Sequence, residues 1–257
     1  MLLRTYLLII FSVVIIQSKG QLACGQDIDL NTWIQEGSIT DGTWTVSPDG
    51  NSVEQSINGE PTFFVSPDTF INVIMEGKIK VNTANDDDLV GFVFGYNDPS
   101  GVIAPNAMNV QSYVFDWKQS EQTDGGGRSQ EGYALYDVNG IVDYTDYQGS
   151  TGPVFWAREN TPVSKLLATN YGNNGWNDFQ EYTFKLKYTA WNVTIWIDGV
   201  EVINFDDCYR PGRFGFYNSS QNFVIYSDFS YQYIADFDVV NPDICVNDTG
   251  KFEIGFN

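Results

Sequence analysis

Apolar residues recur at alternate positions over several short stretches of this chain, and Gly, Asn and Asp punctuate the stretches. Period-two patterning of this kind predicts half-buried β-strands. Residues 70–81 alternate loosely, and residues 90–96 form an aromatic and β-branched run. Residues 113–117, 133–138, 182–188, 214–217 and 223–231 read the same way. The sharpest signal is Val193-Thr194-Ile195-Trp196-Ile197, then Asp198-Gly199, then Val200-Glu201-Val202-Ile203. Asp-Gly between two alternating runs predicts a two-residue hairpin, because both turn residues must accept positive φ. Helical patterning is confined to residues 163–169, where Thr161-Pro162 suits a helix start. Many short strands with so little helix predict an all-β chain: one domain, an antiparallel sandwich of jelly-roll kind.

In residues 113–117, Tyr113, Phe115 and Trp117 fall on one face and Val114 and Asp116 on the other. Both faces therefore carry apolar residues, and Asp116 is expected to be partly enclosed. An enclosed carboxylate needs a partner. The candidates are Lys118, Arg128, backbone N–H groups or a metal.

The first twenty residues break this pattern. A short basic start with Arg4 precedes an apolar run over 7–16, which reads as a signal peptide over residues 1–20. No other apolar run is long enough to cross a bilayer as a helix, so the mature chain is expected to be secreted and extracellular, with no membrane insertion. Residues 21–43 read as an N-terminal strand and lead-in, 44–233 as the sandwich, and 234–257 as a polar C-terminal extension. An exported chain usually oxidises a pair of cysteines. Of Cys24, Cys208 and Cys245, the pair Cys24–Cys245 is expected, since the two ends of a sandwich often lie together. That leaves Cys208 buried or available to a second chain. Asn192, Asn218 and Asn247 head glycosylation sequons.

Charge narrows the function. The chain carries 13 basic against 33 acidic residues, a net charge of −20. Such a balance argues against nucleic acid and anionic membranes, and favours bound cations. There is no histidine, which removes His-ligated zinc and His-based acid–base or nucleophile chemistry. Glycoside hydrolysis needs two carboxylates about 5–9.5 Å apart across a cleft, and no strand presents alternating acids. No enzyme activity is expected. Trp117, Trp156, Trp176, Tyr144 and Tyr147 could instead offer stacking faces to a glycan.

Asp86-Asp87-Asp88 is the densest acidic feature, and it runs straight into the apolar 90–96 strand. Like charges at that spacing repel unless a cation sits among them. Ca2+, which takes six to eight oxygen ligands, is the natural candidate outside the cell.

Asp86-Asp87-Asp88 with Gly91-Phe92-Val93-Phe94-Gly95-Tyr96 resembles the start of the thrombospondin C-terminal domain. Trp117-Lys118-Gln119, Asn160-Thr161-Pro162, Gly175-Trp176-Asn177-Asp178, Gly212-Arg213-Phe214-Gly215 and Tyr226-Ser227-Asp228-Phe229 follow in that family's order. The resemblance implies a lectin-like β-sandwich, bound Ca2+ and an adhesive or matrix role, with a matrix protein, cell-surface receptor or glycan as partner. It implies Asp86, Asp87 and Asp88 as metal ligands, with Asp228 and Asp178 as further candidates.

Overall fold

The computed structural model of the protein describes residues 26–97, 102–104, 107–124, 127–143 and 152–234. In chain order its strands begin with β1 (Gln26–Asp27), β2 (Ile34–Glu36), β3 (Trp44–Val46), β4 (Ser52–Gln55), β5 (Thr62–Phe70) and β6 (Val73–Val81). Then come β7 (Leu89–Asn97), β8 (Val102–Ala104), β9 (Ala107–Lys118), β10 (Gln122–Asp124), β11 (Gly127–Ser129) and β12 (Gly132–Asp143). The chain continues through β13 (Ser164–Tyr171), β14 (Glu181–Tyr188), β15 (Asn192–Ile197), β16 (Val200–Asp206), β17 (Gly212–Ser219) and β18 (Val224–Tyr233). One sheet runs β16-β15-β14-β6-β18-β4-β3 with β1 added to β18. The other runs β13-β12-β9-β7-β17-β5-β2 with β8 added to β9. The two pack face to face as an antiparallel sandwich, the architecture the alternation predicts.

The main core lies between the sheets. Ile79, Phe184, Leu186, Ile195 and Tyr226 from the first sheet meet Phe92, Phe94, Phe115, Trp117 and Phe214 from the second. Aromatic pairs dominate, such as Phe92 stacked on Phe115 at 4.7 Å and Phe214 on Phe229 at 4.7 Å. A second core covers the far face of the second sheet. There Phe63, Val65, Val93, Val114, Tyr136 and Tyr217 sit beneath Val154 and Phe155 of the segment that crosses over them. Two-sided cover explains why β7 is apolar almost without interruption, whereas β6 and β14 alternate. Tyr226 ties the sheets together: its hydroxyl accepts from Gly91 N–H at 3.2 Å and donates to the Tyr217 carbonyl at 2.5 Å.

Gly91 lets β7 approach β9, since a Cβ there would stand 2.1 Å from the Phe115 carbonyl oxygen. Gly91→Ala is therefore expected to cost about 1–3 kcal/mol through forced separation of the strands. Urea denaturation reads this, and a midpoint equal to the parent's would refute it.

The Asp198-Gly199 turn forms as expected, with φ of 49° and 76°. Residues 163–169 do not form a helix. Thr161 Oγ1 accepts from the Val163 N–H at 3.2 Å, and the chain passes straight into the edge strand β13. Helix-compatible residues there yield to ladder bonds with β12. The lead-in also belongs to the fold: Leu30 and Trp33 are buried in the main core, and β2 is an edge strand, so the sandwich starts upstream of Trp44.

Each side of the sandwich is stitched across its two edge strands by one amide side chain. Asn170 Nδ2 on β13 donates to the Val202 carbonyl on β16 at 3.1 Å. On the other side Gln35 of β2 donates from Nε2 to the Gly42 carbonyl at 2.8 Å and accepts at Oε1 from the Trp44 N–H of β3 at 3.3 Å. Cys24, Cys245 and Asn247 lie outside the described residues, as do Tyr144 and Tyr147. Cys208 is exposed. Asn192 is half-buried, whereas Asn218 is fully enclosed and its amide nitrogen donates to the Gln221 carbonyl.

Candidate metal centre

Asp86, Asp87 and Asp88 form the turn that leads into β7, and one oxygen from each carboxylate lies within 4.8 Å of the others. The reason the turn tolerates this is a buried lysine. Lys118 ends β9 beside the start of β7, with no exposed surface. Its ammonium donates to Asp88 Oδ1 at 2.8 Å, the Asp87 carbonyl at 2.8 Å, Gln122 Oε1 at 2.6 Å and Asp87 Oδ1 at 3.4 Å. The Trp156 ring lies on its remaining side, 5.2 Å away. Other neighbours hold the remaining acid oxygens: Asn58 Nδ2 donates to Asp86 Oδ2, and Ser120 Oγ to Asp87 Oδ2.

Burial pushes the Asp88 carboxyl up to about 6, against the pull of Lys118, and the Asp86 charge adds to the rise. A cation against Asp88 would hold it as a carboxylate. Three carboxylates and one ammonium leave two negative charges uncompensated. A divalent ion matches that remainder, so the residues present fit Ca2+. Lys118 already occupies the Asp88 Oδ1 side. A metal in the turn would take Asp86 and the Oδ2 atoms of Asp87 and Asp88, displacing the hydrogen bonds that Asn58 gives Asp86 and Ser120 gives Asp87.

Two sequence candidates stand apart from the triplet. Asp178 accepts from Gln119 Nε2 at 3.0 Å, and the Gln119 N–H in turn reaches the Asp87 carbonyl at 3.3 Å, so Asp178 braces the turn from one residue away. Asp228 pairs with Lys78 at 2.8 Å on the solvent face of the first sheet. The Gly175–Trp176 loop fixes the triplet's backbone. Trp176 Nε1 donates to the Asp88 carbonyl at 3.1 Å, and a Cβ on Gly175 would fall 1.7 Å from the Gln119 carbonyl oxygen. Lys118, Gln122, Asn58 and Ser120 escape a sequence reading because they reach the triplet from other strands and loops.

Asp116 sits on the same outward face as Lys118 and is fully buried. Its partner is neither Lys118 nor Arg128, which pairs with Glu121 at 2.6 Å. Arg158 Nη1 donates to Asp116 Oδ1 at 3.0 Å and to the Gly132 carbonyl at 3.1 Å, and the Tyr136 hydroxyl donates to Asp116 Oδ2 at 2.8 Å. Burial raises the Asp116 carboxyl and Arg158 opposes the rise. Trp117 and Trp176 are only 2% exposed and offer no free stacking face.

The family model for the thrombospondin C-terminal region matches residues 39–235. The chain belongs to that family. As a thrombospondin C-terminal domain it is 30% identical to thrombospondin-1 of Xenopus laevis over 207 residues, which are 76% of this chain and 17% of the relative. It is 30% identical to thrombospondin-2 of Homo sapiens over 203 residues, 75% of the chain and 16% of the relative. Cartilage oligomeric matrix protein of Rattus norvegicus is 29% identical over 207 residues, 75% and 26% of the two chains. This thrombospondin C-terminal domain thus spans between a sixth and about a quarter of the length of these relatives. Among solved structures, a galectin-like protein of unknown function from Bacillus subtilis aligns with a TM-score of 0.51 at 13% identity, over 79% of this chain and 90% of that one. The carbohydrate-binding module CBM66 from the same organism aligns at 0.50 and 12% identity, over 78% and 95%. Both show a shared lectin-like fold.

Proposed function

We propose that this thrombospondin C-terminal domain is a secreted, non-catalytic, Ca2+-binding module that adheres to extracellular matrix or cell-surface partners. The supporting observation is the Asp86–Asp88 turn, whose charge Lys118 lowers but does not cancel. Ca2+ held there would supply the missing positive charge and fix the loops that meet at the turn, namely 82–88, 119–122 and 174–178. Those loops carry Asn85, Ser120 and Asp178, and their rigidity sets the shape offered to a partner. Family membership and the matrix protein among the relatives support the adhesive role.

The test is thermal unfolding with Ca2+ or with EDTA, alongside elemental analysis of the purified protein. Calcium at about 100 times Kd adds roughly 2.7 kcal/mol, which for a domain of this size raises Tm by about 5–10 °C. Asp86→Asn with Asp87→Asn is expected to remove most of that rise. An identical Tm in both buffers, with no metal in the protein, rejects the reading.

A further inference from the structure

We propose that the cavity between the β15–β16 hairpin and the 174–180 loop binds an uncharged saccharide. It is separate from the acidic turn and does not depend on the calcium reading. Its volume is about 310 Å³, which sits at the lower end of the range for ligand pockets. Trp117, Tyr133 and Tyr182 line it, with Trp117 4.9 Å from Tyr133 and 4.6 Å from Tyr182. Val200 on the hairpin adds an exposed apolar side chain. Trp117, Tyr133 and Tyr182 are themselves buried, so the exposed apolar contact for the C–H face of a sugar ring is Val200.

The polar lining selects the ligand class. Asp198 Oδ1 accepts from the Thr183 N–H at 2.8 Å and Glu201 Oε1 from Asn204 Nδ2 at 3.2 Å, so each acid is held in place by one oxygen. The other oxygen of each has no partner among the described residues. Asn174 spends its amide nitrogen on Asn170 Oδ1 at 2.9 Å and keeps its oxygen available. The Tyr133 hydroxyl has no hydrogen-bond partner among the described residues, and burial raises its pKa, so it stays a donor.

The cavity therefore offers several fixed acceptors and a donor over an aromatic lining. A hydroxyl both donates and accepts, so a polyol ring can satisfy such a set. Two carboxylates exclude phosphate, sulfate and carboxylate ligands by like-charge repulsion. A simple cation would leave the Tyr133 donor and the aromatic rings unused. The chemistry left is a neutral sugar, held by edge hydroxyls on Asp198 and Glu201.

The experiment is saturation-transfer NMR and titration of the whole chain with methyl glycosides of glucose, galactose, mannose and N-acetylglucosamine, in EDTA and in Ca2+. At least one glycoside is expected to bind with similar affinity in both buffers. Glu201→Gln and Tyr133→Phe are each expected to weaken it about three- to tenfold, the effect of one lost hydrogen bond. Glu201 is exposed, so its variant should melt like the parent and the loss can be read as binding. Absence of binding by all four glycosides overturns the proposal. So does unchanged affinity in both variants, or displacement of the glycoside by N-acetylarginine amide, which would assign the cavity to a basic side chain. Loss of binding in EDTA alone would tie the effect to the acidic turn and refute a separate site.

Discussion

Replacing Arg158 with methionine is expected to lower the free energy of unfolding by about 3–5 kcal/mol, the cost of leaving a buried carboxylate without its partner. Arg158 is 1% exposed and Asp116 is fully enclosed. Without the guanidinium, the Asp116 charge has only the Tyr136 hydroxyl and the distant Lys118 to set against its burial. The Gly132 and Gln130 carbonyls also lose their donor. The segment 152–158, whose Val154 and Phe155 roof the second core, would lose its anchor to the sheet. The double change Arg158→Met with Asp116→Leu is expected to recover much of the loss, because a buried ion pair is often replaceable by apolar residues of similar size. It should stop about 1–3 kcal/mol short of the parent, since Tyr136 keeps a hydroxyl with no acceptor. Urea denaturation of the two variants and the Asp116→Leu single completes the cycle. A loss below 1 kcal/mol in the Arg158 single would place the pair with exposed ion pairs and refute its structural weight.

Lys118→Met is the second large effect. In EDTA it is expected to cost about 3–5 kcal/mol, because Asp88 keeps a buried charge and the triplet loses its internal cation. Calcium is then expected to return more stability to the variant than to the parent, since the uncompensated charge in the turn rises from two to three. The measurement is Tm with EDTA and with Ca2+ for both proteins. If the calcium-induced rise shrinks instead, Lys118 organises the metal ligands and does not compete with them for charge. If neither protein responds to calcium, Lys118 is the only cation that the turn uses.

Much of the fold was legible because alternation and turn chemistry are local. The β15–β16 hairpin follows from Asp198-Gly199, and the two-faced character of β9 from the order Tyr113 to Trp117. The failures are non-local. Residues 163–169 look helical until β12 supplies ladder partners. Asp116 announces its need for a partner, but Arg158 comes from a loop 42 residues further along the chain. The acidic triplet was visible for the same reason the hairpin was: its residues are contiguous. Its lysine, its serine and its asparagine arrive from β9, the turn after it and the loop before β5, and no spacing in the chain points to them. Asp228 keeps the motif's order along the chain, and its carboxylate is spent on Lys78 of the first sheet, a partner that no spacing in the chain announces.

The two amide stitches across the sandwich edges bear on how the protein behaves in crowded solution. An open edge strand is a template for a neighbour's strand, and aggregation begins there. Here each side is closed by one side chain, Asn170 or Gln35, and one edge also carries Glu201 and Asp206. The barrier to strand-by-strand association is therefore made of side-chain bonds, the two amides and the Lys165–Asp207 pair at 3.2 Å on the same side as Asn170, rather than a covering helix. Loss of an amide stitch is expected to leave the monomer's core intact while freeing backbone groups of that edge to pair with a neighbour as concentration rises.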